Sequence, residues 1–441
     1  MKYQYDYSRC MLLKLYMADP DRKGGSNVFI NFSKALDIIK ATDNLTLGVK
    51  KIIYLVGWQY NGHDDKYPAF FEYNEALKRP EDKTAKDSML WLINEAKKYN
   101  TTVSIHINFA DAYDNCPIFE DYMKNNALIR TAFGKPAKIE KYNGVACYKI
   151  SYKEEWESGL FKKRIDRLLE TFPLVEAGTV HVDNFQCYVN RSPKVDISSM
   201  QRYRKLMIGY LAELKIDITS EFTYREGWLT RFFYGRIVRD IIPKHYPIDL
   251  INSIPAVWHV DKITDEELFK YYPHIYGGGI LKNKRNASFM YGNIQGEPLW
   301  KEHYKDDGWY SDFLYDFATV NVPFYYLNNF HKVKLNGGNS KSLEFSEGVV
   351  SYEKDSIIMK DDNIVKINDD LFLPLFHLKD TYIAYSGKGY LREWLLDRKY
   401  SAAEVYRITA NGNVKLYDLE INSNLIKLKV AGREGLLVIF R

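Results

Sequence analysis

Cysteine is scarce in this chain, with four residues among 441, and no two of them form a CxxC pair. They are Cys10, Cys116, Cys147 and Cys187. Their spacing gives no zinc-binding pattern. We therefore predict four buried thiols in a protein that works in a reducing compartment.

Long hydrophobic runs are also missing. No segment approaches the roughly 18 consecutive apolar residues of a membrane span. The apolar patch in the N-terminal stretch "MKYQYDYSRCMLLKLYMADPD" is too short and too interrupted for a signal peptide. The sequence as given therefore predicts a cytoplasmic protein with no membrane partner, or a secreted protein if the chain has been trimmed.

There is no block of positive charge. The net charge of +5 is mild for this length, and the basic residues are mixed with acidic ones, so no nucleic-acid partner is expected. Metal-binding spacings such as HxH and HExxH are absent, and the histidines and carboxylates are scattered over different predicted strands. We therefore expect no metal and no cofactor. The sequence does not indicate an oligomeric state.

Aromatic residues, in contrast, are abundant. There are 36 tyrosines, 23 phenylalanines and 8 tryptophans, which together make up 15% of the chain. A large core uses many aromatic rings, and a codon bias towards A and T also raises their number. Tyrosine in such excess equally suits surfaces that stack on sugar rings. Composition alone does not decide between these explanations.

Eight short β-rich apolar runs recur along the first 331 residues, with helical patterns between them. The predicted strands are 11–17, 51–58, 101–109, 178–185, 216–223, 249–257, 287–294 and 322–330. The predicted helices include 84–99, 158–172, 199–215 and 308–320. This alternation predicts an α/β fold, a (β/α)8 TIM barrel over residues 1–331. An inserted hairpin at 134–152 is expected on the rim of the cleft.

The pattern changes after residue 331. Short alternating runs, broken by DD, NG, NS and GREG turns, fill residues 332–441. Such a pattern is typical of antiparallel strands joined by tight turns. We therefore predict a C-terminal antiparallel β-sandwich domain over 332–441, with the boundary in "HKVKLNGGNS".

In a barrel of this type the working residues lie at the C-terminal ends of the strands. Polar side chains follow seven of the predicted strands, in chain order His63, Asp64 and Asp65; His106, Asn108, Asp111 and Tyr113; Asp183 and Asn184; Glu221; Trp258 and His259; Asn293 and Gln295; Asn328 and Asn329. These residues converge on one rim of the predicted barrel.

Asp183 and Glu221 are the most informative pair. They are 38 residues apart, about one βα unit of this chain, so we expect them on neighbouring strands. Strand alternation directs both side chains to the rim, with Val182 and Phe222 on the other side. Neighbouring strands are ~4.8 Å apart, which favours the ~5–5.5 Å carboxylate separation of a retaining glycosidase over the ~6.5–9.5 Å of an inverting one.

Each of these residues also has a purely structural interpretation. Asp183 can be a helix N-cap or part of a salt bridge, and Glu221 can pair with Arg225 or Arg231. The pair His63 and Asp64 can form a loop turn. His106 and Asn108 can be satisfied core residues. In the functional interpretation, Asp64 accepts hydrogen bonds from sugar hydroxyls.

Four segments resemble a known family. "YLVGWQYNGHDD", "VSIHINFADAYDN", "VHVDNF" and "ITSEFTYREGW" are similar, in this order, to the catalytic barrel of the endo-α-N-acetylgalactosaminidases, glycoside hydrolase family 101. The resemblance covers residues ~50 to ~330. The "VGWQ…GHD" block is its most specific element. Members of this family release O-linked glycans by cutting α-GalNAc from Ser or Thr with retention of configuration.

Carried over to this chain, the resemblance implies that Asp183 is the nucleophile and Glu221 the acid/base. It also implies that His63, Asp64, His106 and Asn108 contact the sugar in the −1 subsite. From the residues themselves we expect Trp58, Trp258 and a tyrosine-rich rim to supply a stacking floor, and we add Asn293 as a substrate-binding candidate. The partner would be a carbohydrate or glycopeptide.

Other functions stay open at this point. Family members are large, secreted, multi-domain proteins, whereas this chain begins almost at the first predicted strand. An exo-acting relative that removes single α-GalNAc or α-galactose residues is one alternative, and a catalytically silent carbohydrate-binding barrel is another. An isomerase or aldolase would need a strand-end lysine or a phosphate-binding glycine loop. "GNIQGEP" supplies glycines but no such lysine.

Overall fold

The computed structural model describes residues 4–6, 9–21, 23–183, 185, 187–220, 294–295, 308–330, 332–336, 342–352 and 354–441. Two bodies of β-structure lie within these ranges. The first is a parallel sheet surrounded by helices, and the second is a larger antiparallel sheet formed by the C-terminal part of the chain.

The parallel sheet has six described strands. In chain order they are Met11–Tyr16, Lys51–Val56, Thr101–Asn108, Thr179–Asp183, Asp217–Ser220 and Ile294–Gln295. The first five lie side by side in sequence order, and the strand at Ile294–Gln295 pairs with the outer side of the first strand. The five predicted strands between residues 11 and 223 are therefore confirmed within the described residues.

The remaining strand predictions fare differently. The predicted strand 249–257 lies outside the described residues, and of the predicted strand 287–294 only the last residue is described. That residue, Ile294, lies opposite Leu12 of the first strand. The described strands and helices therefore form a parallel α/β arrangement in which a late strand pairs with the first one.

Helices alternate with the parallel strands. The α-helices are Phe32–Leu45, Ala85–Ala96, Phe119–Lys124, Tyr152–Glu157, Leu160–Thr171, Leu174–Ala177, Ile197–Glu213, Trp309–Asp316 and Val322–Leu327. Short 3-10 turns cover Glu75–Leu77, Lys97–Tyr99 and Lys354–Ser356, and Phe317–Asn321 is a π-turn. The four predicted helices are confirmed. None of the described helices has the length and apolar character needed to cross a membrane.

The prediction of a strand at 322–330 is wrong. The helix that begins at Trp309 continues through the π-turn Phe317–Asn321 into the helix Val322–Leu327. Every residue of this last helix is buried, so the segment is apolar all round and has no helical period to read. Periodicity alone does not distinguish such a run from a buried strand. Pro323 lies just after the π-turn, where the regular hydrogen-bond pattern of the helix is already interrupted.

The inserted hairpin is present. Strands Lys138–Tyr142 and Val145–Lys149 pair antiparallel, and a third short strand, Asp111–Tyr113, joins them after the third parallel strand. Two more short hairpins follow other parallel strands, Ala18–Pro20 with Ser26–Val28 after the first and Asn190–Arg191 with Lys194–Val195 after the fourth. All three follow the carboxyl ends of parallel strands.

The two faces of the parallel strands carry different residues. On the first strand Met11, Leu13 and Leu15 belong to the large core shared with the helices. Leu12, on the alternate positions, belongs to a separate cluster with Tyr54 of the second strand. Since side chains alternate along a strand, this separation defines an inner face of the sheet, opposite the helices.

The C-terminal part forms an antiparallel sheet of ten strands. Their spatial order is Lys332–Asn336, Ser342–Phe345, Val349–Tyr352, Ile357–Lys360, Asn363–Ile367, Asp370–Pro374, Thr381–Ser386, Glu434–Phe440, Ala402–Arg407 and Val414–Glu420. A separate two-stranded ribbon pairs Gly389–Leu395 with Leu425–Ala431. The predicted antiparallel strands are thus confirmed.

This sheet is covered on both sides. Phe372 and Val438 pack against Trp394 and Leu428 of the ribbon. Leu371, one position along from Phe372 and therefore on the opposite face, belongs to the large core shared with the parallel sheet. One face of the C-terminal sheet therefore stabilises the first body of the chain, and the other carries a second layer.

The four cysteines are buried and unpaired, as predicted. Burial raises the pKa of Cys10 to about 12 and that of Cys116 to about 11. Burial likewise raises the pKa of Cys147 and of Cys187. These groups are therefore neutral thiols, which are poor nucleophiles.

Candidate active site

Asp183 is the last residue of the fourth parallel strand. Its register partner on the third strand is Asn108. His181, two residues earlier, is buried on the same face, whereas Val180 and Val182 belong to the core under the helices. Alternation therefore places the Asp183 side chain on the inner face at the carboxyl end of the sheet.

The structure removes the helix N-cap alternative for Asp183. The next described helix begins at Ile197, and its N-cap is Asp196, whose carboxylate accepts a hydrogen bond from the Ser199 N–H at 2.7 Å. Asp183 is instead half-buried at a strand end. A carboxylate in this position costs desolvation energy without capping a helix, which is characteristic of functional sites.

The surroundings of Asp183 raise the pKa of its carboxyl group towards neutral pH. Burial raises the pKa of Asp183 to about 6, and the nearby Asp64 and Asp111 carboxylates act in the same direction. Lys14 and His63 act in the opposite direction and favour the ionised form. Near neutral pH the group is therefore a poorly solvated carboxylate, a form suited to attack on an electrophilic carbon.

A row of histidines lies on the inner face beside Asp183. The rings of His181 and His106 stack with centroids 5.3 Å apart, and the ring of His63 lies 5.3 Å from that of His106. Thr219 of the fifth strand lies 2.7 Å from Nδ1 of His181. Burial, helped by the Lys14 charge, lowers the pKa of His106 and of His181 well below the usual range. Both imidazoles are therefore neutral.

The segment "VGWQYNGHDD" folds into a tight turn that sets the position of His63. The backbone N–H of His63 donates a hydrogen bond to the Ala18 carbonyl oxygen at 2.8 Å. Gly57 and Gly62 both have positive φ, and a Cβ on either would lie within 2.5 Å of the same oxygen. Only glycine allows this approach, so the turn explains why the motif needs both glycines.

The side chains of His63 and Asp64 lie together at this turn. His63 Nε2 is 3.6 Å from Oδ2 of Asp64, and His63 Nδ1 is 3.0 Å from the Tyr67 hydroxyl. The Asp64 N–H also donates to that hydroxyl, at 3.2 Å. The Asp65 carboxylate accepts hydrogen bonds from the Asn61 N–H in the same loop and from the Asn115 side chain, which follows the third parallel strand. Asp64, by contrast, is partly exposed.

Asn108 and Asp111 form a buried network with Lys149 of the inserted hairpin. The Asn108 side-chain oxygen accepts from the N–H groups of Ala110 at 2.7 Å and Asp111 at 2.9 Å, and its amide donates to the Asp111 carboxylate at 2.8 Å. Lys149 donates to the other oxygen of Asp111. Asn108 thus fixes the turn beside Asp183 and joins the hairpin to the site.

The prediction that Trp58 stacks on a sugar is wrong. Its side chain is completely buried. The indole ring packs against Phe70, Tyr73 and Phe172, and its N–H donates to the His106 carbonyl oxygen at 3.2 Å. The position directly after a strand end suggested the rim, but the positive-φ Gly57 turns the next side chain into the core.

Three predicted site residues lie outside the described residues. They are Glu221, Trp258 and Asn293. The described part of the fifth strand ends at Ser220, which pairs with Val182. Among the residues that the structure does bring together, His63, Asp64, His106, Asn108 and Asp183 lie at one end of the sheet.

Sequence reasoning missed Lys14. This residue is 4% exposed on the first strand and is an electrostatic neighbour of Asp183, His106 and His181. A sequence signal existed, since Lys14 interrupts the apolar run "MLLKLYM" at a position that shares its strand face with Leu12 and Tyr16. Only the neighbouring strands reveal what this charge faces.

In the described part of the chain, no group of three or more His, Cys, Asp or Glu side chains is arranged to hold a metal ion. The described residues at this end of the sheet offer the carboxylates Asp183 and Asp64, the imidazole His63 and the ammonium Lys14. These groups suit charge stabilisation and carboxylate attack.

Comparisons with solved structures support the architecture. The chain aligns with alpha-N-acetylgalactosaminidase NagBb from Bifidobacterium bifidum, both as a quadruple mutant, with a TM-score of 0.51 and 13% identity, and in its ligand-free form, with a TM-score of 0.50 and 14% identity. These alignments cover 78% and 81% of this chain but only 56% and 58% of the other. At such identities the likeness concerns the fold.

Comparison with protein families supplies the sequence relationship. No curated protein is similar enough in sequence to match this chain. Residues 24–228, however, match the family described as endo-alpha-N-acetylgalactosaminidase. This range includes the strand ends that carry His63, His106 and Asp183. The resemblance predicted from the motifs is thereby confirmed over residues 24–228, and this part of the chain is similar in sequence to the endo-alpha-N-acetylgalactosaminidase family.

Proposed function

We propose that this protein is a retaining glycosidase that cleaves α-linked N-acetylgalactosamine, or the disaccharide Gal-β1,3-GalNAc, from Ser or Thr of glycopeptides. The observation that carries the proposal is the half-buried Asp183 carboxylate, which ends the fourth strand on the inner face with a pKa raised to about 6. In the proposed first step an Asp183 oxygen bonds to the anomeric carbon as the bond to the Ser or Thr oxygen breaks.

Glu221 is proposed as the acid that protonates the leaving oxygen. Ser220 pairs with Val182, and Glu221 and Asp183 are the residues that come next in the chain. Thr219 and His181, two residues before this pair, approach each other at 2.7 Å on the inner face. Because side chains repeat every second residue along a strand, this register supports a carboxylate pair on neighbouring strands at the short separation of retaining enzymes.

In the second step the resulting Glu221 carboxylate takes a proton from water, whose oxygen bonds to the anomeric carbon and displaces Asp183. His63, Asp64 and His106 are proposed to line the sugar site, and the buried Asn108 is proposed to support it by holding the turn at Ala110 and Asp111. Asp64 and His63 supply acceptor and donor groups at the rim. His106 has ring nitrogens with no hydrogen-bond partner among the described residues, so a bound hydroxyl can satisfy one of them.

The complete scaffold is proposed to be a closed (β/α)8 barrel followed by a C-terminal domain from residue 332. The pairing of Ile294–Gln295 with the first strand supports closure. Because residues 322–327 are helical, an eight-stranded barrel with Ile294–Gln295 as its last strand needs two strands from residues 221–293. The prediction 249–257 provides one of them.

The substrate test compares two nitrophenyl glycosides, α-GalNAc and α-linked Gal-β1,3-GalNAc. Release of the intact disaccharide is the expected result and would support an endo-acting enzyme. Release of GalNAc alone would favour the exo-acting alternative with the same two carboxylates. If neither compound is cleaved while both bind, the protein is a silent carbohydrate-binding barrel and the proposal fails.

A pH dependence follows from Asp183. Attack requires the ionised carboxylate, so kcat/KM should fall tenfold per pH unit below an apparent pKa of about 6. The measurement is the pH profile of kcat/KM, which reports groups of the free enzyme. An acid limb near 4, the ordinary range of an aspartate, would contradict a nucleophile in this environment.

A further inference from the structure

Lys14 lies inside the sheet rather than on its surface. It is 4% exposed, and every residue of its strand, Met11–Tyr16, is buried. Met11, Leu13 and Leu15 contact the core under the helices, whereas Leu12 faces the inner cluster. Lys14 is two residues from Leu12, so its side chain extends on the inner face.

The neighbours of Lys14 connect it to the site. Its register partner on the second strand is Tyr54, whose ring lies 5.2 Å from the ring of His181. His181 is two residues before Asp183 on the same face and stacks on His106. The Lys14 charge acts on all three groups, because it lowers the pKa of His106, of His181 and of Asp183.

We infer that Lys14 is a positioning residue for the proposed reaction, and that its ammonium group is the counter-charge that holds the Asp183 carboxylate ionised and oriented towards the cleft. The inference rests on the proposed function for its catalytic meaning. The pairing of the two charges, however, is a property of the free protein and is testable without a substrate.

The charges around Asp183 favour Lys14 as its counter-charge. Among the described residues, Lys14 and His63 favour ionisation of Asp183, whereas Asp64 and Asp111 oppose it. The effect of Lys14 is the largest of the four. The neutral His106 and His181 add no positive charge. Buried carboxylates persist in the ionised form only beside a compensating cation or donor, and in the described part of the sheet Lys14 is a buried cation on the same face.

The test is the titration of Asp183 by carbon-13 NMR of labelled aspartate carboxylates, assigned with Asp183→Asn, in the wild type and in Lys14→Met. We expect the pKa of Asp183 to rise by roughly one unit or more in Lys14→Met, since an opposite charge nearby typically lowers a carboxyl pKa by about 1–3 units. The acid limb of kcat/KM should move upward by the same amount. Lys14→Arg, which keeps the charge, should restore much of the shift.

Lys51→Met is the matched control. Lys51 is also completely buried, begins the neighbouring strand and pairs with Asp43 at the opposite end of the sheet. Its replacement removes a buried cation without touching Asp183, so the titration of Asp183 should not change. If Lys14→Met does not fold, as judged by circular dichroism, Lys14→Gln takes its place with the same expected shift.

Two results would overturn the inference. One is an Asp183 titration in Lys14→Met that equals the wild-type curve. The other is an increase in KM with an unchanged acid limb, because Lys14 would then bind substrate rather than hold the carboxylate. If the wild type cleaves no glycoside, the proposed function fails, yet the NMR titration still decides whether Lys14 and Asp183 are paired.

Discussion

Asp183→Asn should abolish turnover of every glycoside that the wild type cleaves, with kcat reduced by at least about a thousandfold. The amide has almost the same shape as the carboxylate but no charge, so it cannot form the glycosyl ester in the first step. The measurement is steady-state release of the nitrophenyl group by wild type and variant. KM should change little, since the substitution leaves His63 and Asp64, the proposed sugar-binding residues, in place.

A stability measurement separates this chemical loss from unfolding. The pKa of Asp183 in the folded protein, about 6, exceeds the value of 3.8 for an unperturbed aspartate. The folded state therefore binds the proton more tightly, and ionisation of Asp183 destabilises the fold above pH 6. Asp183→Asn should melt at the same temperature as the wild type or higher at pH 7, and the difference should shrink as the pH falls from 6 to 4.

Wild-type turnover in Asp183→Asn would contradict the catalytic role of Asp183. A large fall in melting temperature would contradict the prediction that the ionised carboxylate destabilises the fold. Chemical rescue gives a further test of the nucleophile. Azide added to Asp183→Gly should take the place of the missing carboxylate and restore cleavage. Because azide displaces the leaving group in a single inverting step, the product should be a β-linked glycosyl azide.

Much of the parallel sheet could be predicted from the sequence because its strands are short and rich in β-branched residues, with clear helical periods between them. Asp183 could be predicted as a site residue for a related reason. A carboxylate at the end of a buried strand has no partner within its own segment. Its burial therefore costs desolvation energy, which indicates a functional role. The "GHD" turn could be recognised by its glycines. In the structure, Gly57 and Gly62 allow the chain to pass close to the Ala18 carbonyl oxygen.

The wrong or missed predictions concern buried residues, for which the sequence does not show where the side chain points. Residues 322–327 are apolar on every side, so neither period is visible. Trp58 follows a strand end, but Gly57 with φ 76° redirects the chain. Lys14 was overlooked because a single lysine in an apolar run gives no information about what lies opposite. In all three cases the deciding contacts come from distant segments of the chain.

Glu221→Ala should separate substrates by their leaving groups. A Ser- or Thr-linked sugar needs its leaving oxygen protonated, so kcat/KM should fall about 10²- to 10⁴-fold, the usual contribution of a general acid. A nitrophenolate needs no proton, so the first step with a nitrophenyl glycoside should continue at nearly the wild-type rate. The second step also needs Glu221, as the base that activates water, and should become rate-limiting.

The slow second step gives this prediction its most direct readout. The glycosyl-enzyme should accumulate, seen as a burst of nitrophenol and as a protein mass increased by one sugar, located by peptide mapping at Asp183. Azide should replace water, accelerate turnover and give an α-linked product, the opposite anomer to that from Asp183→Gly. Glu226→Ala, a carboxylate removed five residues along the same segment, is the matched control and should behave as wild type. An equal loss with both kinds of leaving group, or a burst without label on Asp183, would refute the division of roles between these two carboxylates.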